Sequence, residues 1–352
     1  MRILIASSIA PEAIDRLRTQ HDVVCAFNAP EEKLKALVAD REMLICRSGV
    51  TISAAVMASA PQLQLIIRAG SGTDNIDMDY VRQHGIRLER IPEPGAKAVA
   101  ELAFAMMLGL ARHLLQADRL LRQGHFAKHE LSGYLLRGKV LGIVGAGNIG
   151  SLTGEMAAAW GMKVLGCVAH PSAAVAAALA QKGVQLATFE EVVANADFLS
   201  LHVPLTPATR HLINANVLAA MKPGSYLINM ARGGVVEEQA LYAALLAGTT
   251  LRGAGLDVHQ NEKEGQVSPL AALPNVILTP HVGAQTIDSQ REIGERIVAI
   301  VAAQRPQPEQ RPPVRPAPSP ARFGSSPLRA SRPLGTLAGA GVCFGPIKCF
   351  AF

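Results

Sequence analysis

Short apolar runs closed by turn formers alternate along this chain with longer stretches in which apolar positions recur every three or four residues. The short runs read as buried strands and the longer ones as amphipathic crossover helices, the pattern of a parallel α/β sheet. In the N-terminal part, strands are expected over residues 3–6, 23–27, 43–46 and 63–67, and helices over 11–20, 31–40 and 53–58. Residues 101–122 read as one long helix, with apolar residues recurring at Leu102, Met106, Leu110, Leu114 and Leu121. A second alternating block opens at Val140, with strands over 140–144, 163–168, 198–202, 225–230, 253–258 and 276–279. Six strands in succession with helical crossovers make a doubly wound sheet. A last helix over 286–303 follows so late that it is expected to pack back on the first block.

The expected fold class is therefore α/β with two doubly wound parallel-sheet domains, flavodoxin-like in the first block and Rossmann-like in the second. The first domain is discontinuous, comprising residues 1–97 and 284–304, and the second comprises 98–283. A length of 352 residues with 49% hydrophobic and 18% charged residues agrees with two globular cores and excludes global disorder. The uncharged part of the long helix, residues 102–111, is half of the roughly 20 residues a membrane span needs, so no membrane segment is expected. Ser7 and Ser8 interrupt the first apolar run, which favours a strand over a signal peptide.

The net charge of +6 invites a nucleic-acid reading until the charges are located. Residues 305–352 hold six Arg and one Lys against Glu309 alone, and the preceding residues carry 27 bases and 27 acids. All of the excess thus sits in a terminal segment that also contains ten of the 22 prolines and is expected to be a disordered tail, dispensable for activity. A neutral body gives no reason to expect nucleic acid as a partner. Five scattered cysteines, Cys25, Cys46, Cys167, Cys343 and Cys349, do not form a disulfide framework and fit a reducing cytoplasm.

The strongest local signal is Gly145, Gly147 and Gly150, a GxGxxG between an apolar strand and a helix-forming run that includes Asn148 and Ile149. The glycines allow a tight turn, close approach of a pyrophosphate and close helix packing, with the anion on the helix N-terminus. The acid that normally ends the next strand and binds the adenosine ribose is missing here. His170 and Ser172 stand there instead, and the next acid is Glu190. Nothing repels a ribose 2′-phosphate, yet no Arg or Lys is placed to bind one. NAD(H) and NADP(H) both stay open, with the balance tipped slightly toward NAD(H).

Five segments in register resemble one family: residues 68–77, the glycine fingerprint, 230–234, 255–258 and 279–283 occur in the order typical of the D-isomer-specific 2-hydroxyacid dehydrogenases, most like the phosphoglycerate dehydrogenase branch. The resemblance covers about residues 1–306. It implies a nicotinamide-dependent hydride transfer at C2 of a small 2-hydroxy or 2-oxo acid, and a homodimer. It further implies that His281 is the general acid/base, Glu262 the carboxylate that holds its imidazole, and Arg232 the cation that binds the substrate carboxylate. A departure is Lys263, where the family usually has Pro, with Glu264 following. The loop Ala69, Gly70, Ser71 and Gly72 is implied to offer backbone amides to the substrate, and Arg47 and Arg68 to meet a phosphate. Implied cofactor contacts also include His202, Val203, Pro204, Thr209, Ala231, Asp257 and Gly283, and His170 is a further candidate from its place after the strand over 163–168.

His125 and His129 stand four apart beside Glu130 and imitate a zinc helix, but they lack a third ligand nearby, and no metal is expected. A competing reading from another class is a non-catalytic, dinucleotide-sensing protein similar to the corepressors that share this fold.

Overall fold

A computed structural model describes residues 1–304, so the expectation for the proline-rich tail lies outside the described residues. The first sheet is built from β1 (Arg2–Ile5), β2 (Asp22–Cys25), β3 (Met43–Cys46), β4 (Leu65–Arg68) and β5 (Arg87–Arg90), all parallel in the order β2-β1-β3-β4-β5. Its crossovers are α1 (Pro11–Arg18), α2 (Glu31–Val38), α3 (Ala54–Ala58) and α4 (Met78–Gln83). Side chains of a strand alternate between faces, and β1 divides accordingly. Ile3 and Ile5 join one buried layer with Ile14 and Leu17 of α1, while Leu4 joins Leu34, Val56 and Val81 on the opposite face.

The chain then enters α5 (Glu93–Ala111) and α6 (Leu114–Arg122). The single helix expected over 101–122 is thus two helices, because His113 adopts a left-handed backbone (φ 53°) that ends the α-helical ladder. The break frees the Ala111 carbonyl, which accepts the Tyr134 N–H at 2.8 Å, so the segment after α6 docks on the gap. His125 and His129 lie in that irregular segment rather than on a helix face. With 19 residues, α5 is long and apolar enough to cross a membrane, but 67% of its apolar window is buried, packed on α7, β10 and β11, so its apolar surface faces protein.

The second sheet comprises β6 (Val140–Val144), β7 (Lys163–Cys167), β8 (Val184–Leu186), β9 (Phe198–Leu201), β10 (Ser225–Asn229), β11 (Leu251–Leu256) and β12 (Val276–Leu278). It is wholly parallel in the order β12-β11-β10-β9-β6-β7-β8, one strand more than the six expected. Helices α7 (Asn148–Ala159), α8 (Ala173–Gln181), α9 (Phe189–Asn195), α10 (Ala215–Ala220) and α11 (Glu238–Ala247) connect the strands. Leu141, Ile143 and Phe198 pack toward α5 and α7, and Leu199, Leu201 and Leu256 pack toward α9 and α11.

The last helix, α12 (Ile287–Ala302), returns to the first sheet: Ile293, Ile297 and Val301 are buried with Ile3, Ile5 and Ala13. Gly294 lies against Ala10 and Ala13, where an added Cβ would stand 2.9 Å from that of Ala13. Chain order and spatial order therefore differ, and the turn after β12 must cross from one sheet to the other.

Candidate active site

Parallel α/β sheets bind ligands outside the carboxyl ends of their strands, at the point where strand order reverses. In the second sheet that point lies between β6 and β9. Gly145 follows β6 in a left-handed turn (φ 92°), and a Cβ there would sit 2.7 Å from the His202 carbonyl at the end of β9. Gly147 is the N-cap of α7 and supplies no side-chain cap, whereas Ser172, Thr188 and Asn214 cap α8, α9 and α10. A Cβ on Gly147 would meet nothing within 4 Å, so the space above this uncapped helix N-terminus is open to an anion. Gly150 closes the motif against the Gly145 carbonyl, leaving no room for a side chain.

His202 lies in the same crevice with Nε2 2.9 Å from the Ser200 hydroxyl and a buried Nδ1 that has no partner. Burial pushes this imidazole down to about 3, so it is neutral at physiological pH. An uncapped helix start, a glycine cradle and an orphaned buried nitrogen fit a dinucleotide. Val203 is buried beside Gly145 and Pro204 is exposed. At the end of β7, His170 is exposed and Ser172 is committed to capping α8. Thr209 is fully buried, its hydroxyl donating to the Pro204 carbonyl at 2.6 Å, so it closes the loop on which Pro204 stands.

His281 follows β12 in a left-handed backbone (φ 55°), a costly conformation for a side chain of its size. Asp257 holds it there. The Asp257 carbonyl accepts the His281 N–H at 2.7 Å, and its carboxylate accepts the Thr279 hydroxyl at 2.6 Å and the N–H groups of Val282 and Gly283 at 2.8 Å each. The turn aims His281 Nδ1 at Glu262 Oε2, 2.8 Å away, and Glu262 Oε1 accepts the His259 N–H at 3.1 Å. Burial acts to raise the Glu262 carboxyl, but the hydrogen bond and charge of His281 together with the His259 N–H outweigh it and hold the group below the usual carboxylate range. With Nδ1 engaged by a carboxylate, Nε2 is the nitrogen free to exchange a proton with a ligand.

Arg232 stands on the turn after β10. Asn229 brackets this turn, accepting the Ala231 N–H at 3.1 Å and donating to the Arg232 carbonyl at 3.1 Å. A side chain on Gly233 would collide with the His259 carbonyl, so the Arg232 turn lies directly on the backbone that carries Glu262. The guanidinium reaches across to the first sheet, where Nε and Nη2 donate to both oxygens of Asp74 at 2.9 and 2.8 Å, while Nη1 donates to the Ala231 carbonyl at 2.7 Å.

The glycine loop 69–72 lies between two guanidinium groups. A Cβ on Gly72 would collide with Arg232 Nη2, and one on Gly70 would stand 2.6 Å from Arg68 Nη1. Arg68 is not the solvated strand-end charge that its position after an apolar run permits: it is 4% exposed, bonds only the Ala69 carbonyl, and leaves Nε without a partner. Arg47, at the β1/β3 reversal point of the first sheet, donates its backbone N–H to the Ser7 hydroxyl at 2.9 Å and Nη1 to Gln285 Oε1 at 3.2 Å. Burial pushes both guanidinium groups below their usual value. Ser7, Arg47, Glu262, Lys263, His281 and Gln285 all line one cleft of about 760 Å³.

Arg232, Glu262, His281, the glycine loop and the two further arginines are therefore brought to facing strand ends. Asp74 and Asn229 are the members that sequence reasoning missed. Asp74 lies inside the 68–77 segment, but its partner is 158 residues away. The signal for Asn229 is only a polar residue closing an apolar strand.

Residues 104–283 match the description "D-isomer specific 2-hydroxyacid dehydrogenase, NAD binding domain". The chain is 38% identical over 299 residues to the D-3-phosphoglycerate dehydrogenase of Mycobacterium tuberculosis, covering 85% of this chain and 56% of that one. It thus spans little more than half the length of that relative. It is 37% identical over 301 residues to the hydroxypyruvate reductase of Thermotoga maritima, covering 84% of this chain and 96% of that one. Its fold superposes with a TM-score of 0.75 on the D-lactate dehydrogenase of Aquifex aeolicus, solved with NAD and lactic acid, at 31% identity over 86% of this chain and 95% of that one.

Proposed function

The chain belongs to the D-isomer-specific 2-hydroxyacid dehydrogenase family, and from that premise we propose that it interconverts a D-2-hydroxy acid and its 2-oxo acid at the expense of a nicotinamide dinucleotide. The observation that carries this reading is the Glu262–His281 pair and the Arg232 guanidinium gathered at the facing strand ends beside the glycine loop. When bound, the dinucleotide supplies or removes the hydride at C2. His281 Nε2 gives the proton to the C2 oxygen during reduction and takes it back during oxidation, while Glu262 holds the Nδ1 side of the ring. Arg232 has five N–H groups, three of them engaged, which leaves one on each terminal nitrogen for the substrate carboxylate and the charge developing on the C2 oxygen. The amides of residues 69–72 share the carboxylate.

The reading extends to the substrate and the assembly. Arg47 and Arg68 place two cations without carboxylate partners beside this site, which favours an acid with a second, distal anion such as 3-phosphoglycerate. NAD(H) is slightly favoured over NADP(H), because no Arg or Lys follows β7. The substrate domain comprises 1–97 and 284–304 and the dinucleotide domain 98–283. Leu114, Leu115, Leu121, Phe126 and Leu135, on α6 and the segment after it, are exposed apolar side chains suited to pairing two copies. The neutral body and the free, partly or fully buried thiols Cys25, Cys46 and Cys167 fit a cytoplasmic enzyme.

The test is a panel of 2-oxo acids, with and without a phosphate, followed by nicotinamide absorbance with NADH and with NADPH. Turnover of at least one acid is expected, faster with NADH. Binding of both dinucleotides with oxidation of neither, on any acid, would overturn the enzyme reading in favour of a dinucleotide sensor.

A further inference from the structure

Arg232 faces a demand that its position alone does not meet. It stands on the turn after β10, yet it has to hold a planar fork against a ligand whose other contacts come from the loop after β4. A long side chain rooted on one side of a cleft samples many directions, and small misplacements at a reacting centre are costly. Asp74 removes that freedom. Both of its oxygens are taken by Nε and Nη2 of Arg232 in a side-on, two-bond pair, and both partners are mostly shielded, at 23% and 34% side-chain exposure.

The pair is built into the loop. A Cβ on Gly72 would collide with Arg232 Nη2 and lie 2.6 Å from Asp74 Oδ1, so the missing side chain is what lets the two groups meet. Planar Arg forks match carboxylates in two-bond geometry, which fixes orientation as well as distance. Arg232 holds Asp74 below the usual carboxylate range against the opposing effect of burial, so the pair is charged throughout neutral pH.

We propose that Asp74 is a positioning residue for the reaction. From the substrate-side loop it clamps Arg232 across the cleft, keeping the two unengaged N–H groups on the substrate carboxylate and C2 oxygen in register with the amides of residues 69–72. This inference rests on the dehydrogenase reading above, and its test separates the two. If the unaltered protein turns over no 2-oxo acid, the functional reading is what fails.

Given turnover, Asp74→Asn is expected to lower kcat about 10- to 100-fold. The variant is expected to stay folded at the assay temperature, with only a modestly lower melting temperature and an unchanged NADH affinity, followed by nicotinamide fluorescence, and Asp74→Glu recovers part of the loss. Added to Arg232→Lys, the same Asp74→Asn change is expected to cost less than about threefold more, because groups acting as one unit are not additive. Three outcomes overturn the proposal. A lower KM with unchanged kcat would make Asp74 a competitor of the substrate. An equal loss in both backgrounds would make it independent of Arg232. A loss that follows the unfolded fraction would make it merely structural.

Discussion

His281 combines a left-handed backbone, which it shares with His113, with a ring committed to a carboxylate across a loop, which His113 lacks. Removing the ring is expected to lower kcat by about a thousandfold, the scale of general acid/base catalysis, with dinucleotide affinity nearly intact. Steady-state reduction of a 2-oxo acid by His281→Ala checks this, and an unchanged kcat would remove His281 from the mechanism. The two acids of the site also set a pH dependence. Asp74 and Glu262 both have folded-state values below their unfolded ones, despite burial, because of their bonds to Arg232 and His281. Their stabilisation is present above the unfolded value, roughly pH 4, and is lost as pH falls through the lower folded values. Melting temperature is therefore expected to drop on acidification below about pH 4, and to drop less steeply in Asp74→Asn. Residues carrying a distinctive local motif, such as His281 and Arg232, were legible in the sequence. Asp74 was not, because its role is defined by a partner that only the fold brings near.

Elements were legible in proportion to how far burial shaped their composition. β3 and β9, buried at every position, stood out as apolar runs. β5 reads Arg-Leu-Glu-Arg, an edge strand with one partner and mostly exposed side chains, and it carries no apolar signal. β8 has three residues, too few for any period to register. The split between α5 and α6 escaped because no Gly or Pro marks it. His113 takes the left-handed turn, and the docking of Tyr134 on Ala111 shows where the freed carbonyl is satisfied. The return of α12 to the first sheet gives an element-scale prediction. Ile297 is fully buried against that sheet, so Ile297→Ala is expected to cost about 2–4 kcal/mol, measured by urea unfolding. A cost under about 0.5 kcal/mol, the range of a surface substitution, would mean that α12 is not part of that core.

At the scale of the whole molecule, the carboxyl ends of two parallel sheets meet, and every group assigned to chemistry follows a strand end. α6, packed on α5, and the segment after it carry exposed leucines and Phe126, 82% exposed, on an otherwise charge-balanced body. Sedimentation of the intact chain is expected to give a dimer, and Phe126→Asp with Leu121→Asp a monomer. A monomer before substitution would leave that face without the partner proposed for it.

The glycines of the cleft also divide into two kinds with different fates under mutation. Gly233 has a neighbouring carbonyl where its side chain would go, while Gly147 has empty space. In a saturation library sorted first for soluble expression and then for growth dependent on the enzyme, codon 233 would be emptied of missense variants at the first sort. Codon 147 would pass the first and be emptied only at the second. The same residue type would thus record, position by position, whether selection acts on the folded chain or on what the chain binds.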